Sequence, residues 1–184
     1  EHGVNVAKVS VDIKKMIGRK AEVVKKITGG VEFLMKKNKI ERFQAHGKIL
    51  DKNTVEAGDE KLTAKNIVIA TGSKPNGLRG IDFDKKRIIS STEALELQEI
   101  PKSMLVVGAG VIGLELGSVW NRLGSEVVVL EALEEFLPAV DKQIARDAQR
   151  TFKKQGLDIR LATRVTGSEL EGDSVSHRPQ QSFW

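Results

Sequence analysis

The chain has 184 residues, a formal net charge of +5 and no cysteine, which excludes a disulfide, a thiolate metal site and a thiol nucleophile within these residues. Its lysines are interleaved with acids and its aromatic content is only 4%, a pattern unlike the single basic face of a nucleic-acid reader, so no nucleic-acid partner is expected. No apolar run approaches the ~20 residues that cross a bilayer, and no stretch at the start combines a basic head, an apolar middle and a small-residue cleavage site, so neither a membrane protein nor a secreted one is expected.

From Val11 to about Asn38, Ile13, Ile17, Ala21, Val24, Ile27, Val31 and Leu34 recur at steps of three and four. This spacing predicts one amphipathic helix with lysines on its other face, packed on a sheet, with Gly29-Gly30 as a point of bending. Over residues 41–70 the period shortens. "DKN" at 51–53 and "AGDE" at 57–60 are turn chemistry, and the segment reads as an antiparallel meander. It leads into "NIVIATGSKP", where Ile67, Val68 and Ile69 read as a strand covered on both faces, stopped at Thr71-Gly72 and kept from continuing by Pro75. Residues 76–102 read as connecting chain, with a short helix at "STEALEL" capped by Ser91 or Thr92. Pro101 closes this region and marks a domain boundary.

A β-α-β unit follows. Met104–Val107 read as a strand, Gly108–Gly113 as the turn, Val111 to about Leu123 as a helix ended by Gly124, and Glu126–Leu130 as the next strand, with Glu131 at its end. Asp141 is placed to cap a further helix carrying Ile144, Ala145, Ala148 and Phe152 on one side, and Gly156 ends it. "LDIRLATRV" alternates as a strand, and "GDSVSHRPQQSFW" has no usable periodicity.

Gly108, Gly110 and Gly113 match G-x-G-x-x-G. In the dinucleotide-binding fingerprint the first glycine permits a tight strand-to-helix turn, the second lets a pyrophosphate approach the backbone, and the third lets helix and strand pack closely. The helix N-terminus offers N–H groups and a partial positive charge to phosphates. Glycines alone are a weak signal. Here they follow a strand, open a helix, and are followed by a strand ending in Glu131, close to the ~20-residue spacing expected of an acid that accepts from a ribose diol. A carboxylate there repels a 2′-phosphate, which favours NAD over NADP. Glu115 reads either as an acid favoured by the helix dipole or as a group beside a nicotinamide.

The order "NIVIATGSKP", "SSTEAL", "PKSMLVVGAGVIGLELGSVWNRLGSEVVVLEA" and "FKKQGLDIRLATRV", together with "GVEFLMKKNKIERFQAHGKIL" before the meander, resembles dihydrolipoamide dehydrogenase over roughly residues 1–170. That family belongs to the flavoprotein disulfide reductases with two dinucleotide domains. The resemblance implies an α/β fold: a Rossmann-like FAD/NAD(P)-binding domain with a parallel central sheet and an antiparallel meander, plus an incomplete second FAD-binding domain. Residues 1–100 would belong to the FAD domain, 101–170 to the NAD domain and 171–184 to an atypical tail. By the same resemblance Gly47, Thr71, Gly72 and Ser73 line FAD. Gly108, Ala109, Gly110, Val111, Ile112 and Gly113 hold the NAD pyrophosphate. Glu131 binds the adenosine ribose, Glu115 lies near the nicotinamide and Val165 packs beside the adenine.

The implied reaction is oxidation of protein-bound dihydrolipoamide by NAD through a redox disulfide and FAD. The implied partners are the lipoyl domains of 2-oxo acid dehydrogenase complexes and a second copy in a homodimer. The implied compartment is the cytoplasm or the mitochondrial matrix. The family's reactive cysteine pair, its first glycine motif and its catalytic His-Glu pair match nothing in these residues, and His2, His46 and His177 read as ordinary surface or loop histidines. The expectation is therefore a chain that binds FAD poorly, turns over no lipoamide alone, and exposes a sheet edge that invites association. Two other readings stay open: another disulfide reductase of the group, such as a glutathione or mercuric reductase, and a non-catalytic NAD-binding module.

Overall fold

The computed structural model describes residues 9–171 and 174–181. Contacts divide it into two units, one of Arg19–Lys74 and the other of the remaining described residues. His2 lies outside the described residues.

The first unit begins within α1 (Ile13–Lys37), which starts where the Asp12 carboxylate accepts from the Lys15 N–H at 3.0 Å. The helix runs unbroken through Gly29-Gly30. Lys36 and Lys37 in its last turn oppose the dipole's negative end. None of its residues is buried, and Val24, Ile27, Val31 and Leu34 stay exposed. Ile13, at its start, belongs to the other unit and packs on the hydrophobic core there, and beyond it the expected packing of the stripe on a sheet is not made by the described residues. Periodicity reports that a face is apolar, and the covering layer has to come from elsewhere in the fold.

β1 (Gly47–Ile49), β2 (Thr54–Ala57) and β3 (Glu60–Thr63) form the expected antiparallel meander, with Ile49 opposite Val55 and Val55 opposite Leu62. Its turns fall at the two predicted places. The Asp51 carboxylate accepts from the Asn53 N–H at 2.8 Å, and Gly58 takes φ +65°. The strand expected at Ile67–Ile69 is not formed. Residues 66–74 are irregular, with Val68 85% and Ile69 72% exposed. A doubly covered parallel strand needs ladders and layers around it, and the described residues supply none to this segment.

The second unit holds β4 (Ser103–Val107), α3 (Val111–Arg122), β5 (Glu126–Leu130), α4 (Lys142–Lys154) and β6 (Asp158–Arg160). The three strands form a parallel sheet in the order β4-β5-β6, with Val106 opposite Val129 and Val129 opposite Ile159. Parallel neighbours need crossovers, and α3 and α4 are those crossovers. The core gathers Ala109, Leu114, Trp120, Val127, Val129, Phe136, Ala145, Leu157 and Ile159. Leu97 and Ile100 also pack on it, which is why residues 75–100 group with this unit by contact. Buried Ser125 is satisfied, donating from Oγ to the Pro101 carbonyl at 2.6 Å.

Both helices end as their glycines demand, Gly124 at φ +112° and Gly156 at +97°. The Asp141 side chain caps α4, accepting from the N–H groups of Gln143 and Ile144. Ala145 is buried and Ala148 and Phe152 pack on the core, but Ile144 points to solvent. The helix at "STEALEL" shrinks to α2 (Ser91–Ala94), and its cap is Ser90, not Ser91 or Thr92. Ser90 and Glu93 form a reciprocal capping box, which selects the serine three residues before an acid.

"LDIRLATRV" is not one strand. Ala162 sits in the left-handed region at φ 50° and separates β6 from β7 (Thr163–Glu171). β7 pairs antiparallel with β8 (Ser174–Gln181), so most of the segment without periodicity is a strand whose order comes from its partner.

The 84–88 turn carries a pH prediction. Asp84 Oδ1 accepts from the N–H groups of Lys86, Arg87 and Ile88 at 2.7, 2.8 and 2.8 Å. The Lys86 bond first, then that of Ile88, lowers its pKa below the usual aspartate value. A depressed carboxylate stabilises the turn fully above its unfolded pKa, and that contribution is lost as pH falls through the folded one. In an NMR titration from pH 6 to 2, the amides of residues 86–88 should lose protection at the acid end. Asp84→Asn should flatten that dependence, and an unchanged profile in the variant would assign the transition elsewhere.

Candidate functional site

The glycine turn leaves the parallel sheet at the C-terminal end of β4 and enters α3. Gly108 takes φ +102°, a conformation that side chains rarely adopt, and its N–H donates to the Leu130 carbonyl at 2.7 Å. Ala109 packs into the core, only 2% exposed. Gly110 is the N-cap of α3, with extended backbone and no side-chain cap, so the first-turn N–H groups have no side-chain acceptor. A Cβ built on Gly110 meets nothing within 4 Å, whereas one on Gly113 meets the Gly108 carbonyl oxygen at 2.4 Å and Val106 Cγ1 at 3.1 Å. The three glycines thus differ in kind. Gly108 is required by backbone conformation and Gly113 by close helix-strand approach. Gly110 is required by neither and leaves open space at the mouth of the helix. Val111 and Ile112 are exposed there.

Glu131 lies at this mouth. Its Oε2 accepts from the Ala109 N–H at 2.8 Å and its Oε1 from the Leu133 N–H at 2.9 Å. Strand pairing brings the acid to the turn, since β4 and β5 run parallel and in register to Val107 opposite Leu130. Sequence reading does not find Leu133 or the Ala109 N–H. The available signal is a carboxylate two residues before an N–H, the same local pattern as in the Asp51 turn.

Glu115 is exposed on the outer face of α3, lining an open groove with Leu116, Ser118, Val119, Arg122 and Phe152. The first turn of α3 contains no acid, so the reading of Glu115 as a first-turn dipole partner is corrected: the helix begins at Val111 and Glu115 lies beyond that turn. Val165 is half-buried in β7, two residues past Thr163, whose N–H donates to the Glu131 carbonyl at 2.8 Å. Gly47 opens β1, and Thr71, Gly72 and Ser73 lie in the exposed 66–74 segment, with Gly72 at φ +72°. These four belong to the 19–74 unit, whereas residues 108–113, Glu115, Glu131 and Val165 belong to the other. His46 is exposed, and His177 lies in β8. Among the described residues no group of three or more His, Asp or Glu is placed to hold a metal, and no helix is long and apolar enough to cross a membrane.

A parallel β-α-β-α-β unit with a glycine turn at the carboxyl end of its first strand defines a Rossmann-like α/β fold. The chain belongs to the pyridine nucleotide-disulphide oxidoreductase family, whose profile matches residues 2–182. This is a family of FAD- and NAD-dependent oxidoreductases. The chain is 44% identical over 179 residues to the mitochondrial dihydrolipoyl dehydrogenase of Pisum sativum, covering 95% of this chain and 36% of that protein. It is 47% identical over 169 residues to the dihydrolipoyl dehydrogenase of Cupriavidus necator, covering 90% of this chain and 36% of that protein. Among solved structures it is similar to the Cu(II) complex of a mutant of RclA, the HOCl-induced flavoprotein disulfide reductase of Escherichia coli, with a TM-score of 0.80 and 26% identity over 92% of this chain and 40% of that one. The chain therefore spans about a third of the length of the curated relatives it matches.

Proposed function

We propose that Gly108–Gly113 seat the pyrophosphate of NAD on bare main chain and that the Glu131 carboxylate accepts from its adenosine ribose. The observation that carries this reading is Gly110, where a Cβ would enter open space at the helix mouth with nothing of the protein to touch. A glycine with no conformational or packing need is explained by a ligand that must come close to the backbone. The carboxylate favours NAD over a cofactor bearing a 2′-phosphate. Glu115 and Val165 are assigned to the nicotinamide and adenine sides. Bound there, NAD supplies a hydride acceptor.

Gly47, Thr71, Gly72 and Ser73 are assigned to FAD, and the first 100 residues to its domain. Gly47 lies exposed in a short strand and Thr71, Gly72 and Ser73 in an exposed, irregular segment; neither setting makes a phosphate cradle comparable to the 108–113 turn, so these residues by themselves do not fit a tightly held flavin. Residues 101–170 are assigned to the NAD domain and 171–184 to a tail beyond it. The activity assigned to the whole protein is NAD-linked oxidation of dihydrolipoamide on lipoyl domains of 2-oxo acid dehydrogenase complexes. It would act as a homodimer in the mitochondrial matrix or the bacterial cytoplasm. The thiol-disulfide step requires cysteines, and these 184 residues contain none, so that turnover is not assigned to them alone.

Replacing Gly110 by alanine tests the site. The position has ordinary φ −74° and free space, so the only stability cost is that of alanine at an N-cap, about 1 kcal/mol or less. Affinity for NADH, read by fluorescence titration, should fall at least ~10-fold, because one displaced hydrogen bond to a charged group carries about that factor. NADPH should bind the unaltered chain more weakly than NADH. Equal NADH affinity in the variant and the parent would remove the pyrophosphate from this turn.

A further inference from the structure

The Glu131 carboxylate does more than wait at the end of β5. Each of its oxygens already accepts a main-chain N–H, Ala109 at 2.8 Å and Leu133 at 2.9 Å. Its own backbone is held as firmly. The Glu131 N–H donates to the Arg160 carbonyl at 2.9 Å, its carbonyl accepts from Thr163, and the Leu133 carbonyl accepts from Ala162 at 2.9 Å. The corner at 160–163, with Ala162 at φ 50°, therefore grips residues 131–133 from behind. On its other side the carboxylate reaches a single point of the glycine turn. Ala109 stands between Gly108 and Gly110, the two residues of the turn with the widest backbone freedom, and its peptide orientation sets which way the following N–H groups face.

We infer that Glu131 is a positioning residue for the glycine turn: its carboxylate latches the Ala109 N–H and so holds the N–H groups at the mouth of α3 in the orientation a diphosphate needs. This rests on the reading of the turn as a nucleotide site. A carboxylate offers about four acceptor positions and the main chain uses two, so the remaining two can serve a ribose diol at the same time. One side chain then links the sugar end of the nucleotide to its phosphates. A change at 131 meant to alter cofactor preference also disturbs the phosphate cradle.

The test compares the unaltered chain with Glu131→Gln and Glu131→Ala. The two variants carry the same charge, but only glutamine retains a carbonyl oxygen that can accept from the turn. Amide hydrogen exchange at Ala109, measured without nucleotide, should be slowest in the parent and at least ~10-fold faster in Glu131→Ala, with Glu131→Gln between them. The Val129 amide, on the central strand β5, should keep its protection and show that the fold persists. Inorganic pyrophosphate, which has no sugar, should bind Glu131→Gln more tightly than Glu131→Ala. A side chain that only grasps ribose predicts equal pyrophosphate affinity in the two. Identical Ala109 exchange in all three chains overturns the latch. If the parent protects Ala109 and the variants do not, yet pyrophosphate binds none of them, the latch stands and the nucleotide reading of the turn falls.

Discussion

Replacing Gly113 by alanine is expected to destabilise the unit that holds α3 by about 1–3 kcal/mol and to abolish measurable NADH binding. Two effects of opposite sign compete. Alanine in place of glycine near the start of α3 favours the helix by up to about 1 kcal/mol. Against this, the new Cβ would lie 2.4 Å from the Gly108 carbonyl oxygen and 3.1 Å from Val106 Cγ1. A carbonyl oxygen has no rotamer into which it can retreat, so relief must come from moving the helix off β4 or opening the turn. Gly108 is pinned through its N–H to Leu130 at 2.7 Å, so the movement falls on the mouth of α3. Chemical denaturation should show the lower midpoint, and NADH titration the lost binding. The contrast with Gly110→Ala, which meets no clash and should act mainly on binding, separates the two glycines. A Gly113→Ala chain as stable as its parent would mean that helix and strand do not approach as closely as described.

Trp120→Ala carries the second large effect. Trp120 is 2% exposed and packs in the core with Leu114, Val127 and Leu157, on the face of α3 that meets the sheet. Truncating a buried tryptophan costs about 3–5 kcal/mol, the lost transfer energy plus the cavity left behind. A small domain has about 5–15 kcal/mol in total, so the variant should lose a large share of its stability. Ile144→Ala is the control, since Ile144 is 60% exposed on α4 and its loss should change stability by no more than about 0.5 kcal/mol. Urea titrations of the two variants should differ by several-fold in ΔΔG. Similar losses would show that α3 does not carry the core.

The β4-α3-β5 unit was readable in advance because its signals are local. Met104–Val107 and Val127–Leu130 are short apolar runs, one running into Gly108 and the other starting soon after Gly124, and the helix between them has a glycine at each end. The meander was readable for the same reason, since turn residues at 51–53 and 57–60 act on the few residues beside them. Equally good patterns mark the Ile67–Ile69 strand, which is not formed, and the stripe of α1, which is left uncovered from Val24 to Leu34. Both readings needed a partner layer, and a pattern carries no information about whether that layer is present. The capping residue of α2 failed on a finer scale: three adjacent hydroxyl residues compete, and only the capping box with Glu93 selects Ser90.

The candidate site divides in the same way. Glycine spacing and a following acid are features of the chain alone, and they are enough to mark Gly108, Gly110, Gly113 and Glu131. Which glycine is bound by conformation, which by packing and which by neither was decided by the fold, through a carbonyl 2.4 Å from where a Cβ would stand and the open space at Gly110. The bond from Ala109 to Glu131 spans 22 residues of sequence, and the break at Ala162 that supports Glu131 from behind interrupts a run that alternates like one strand. Local chemistry acts over a turn or two of chain and leaves its mark in neighbouring residues. The direction of a carboxylate depends on strands brought side by side from distant parts of the sequence, and it exists only once they have paired.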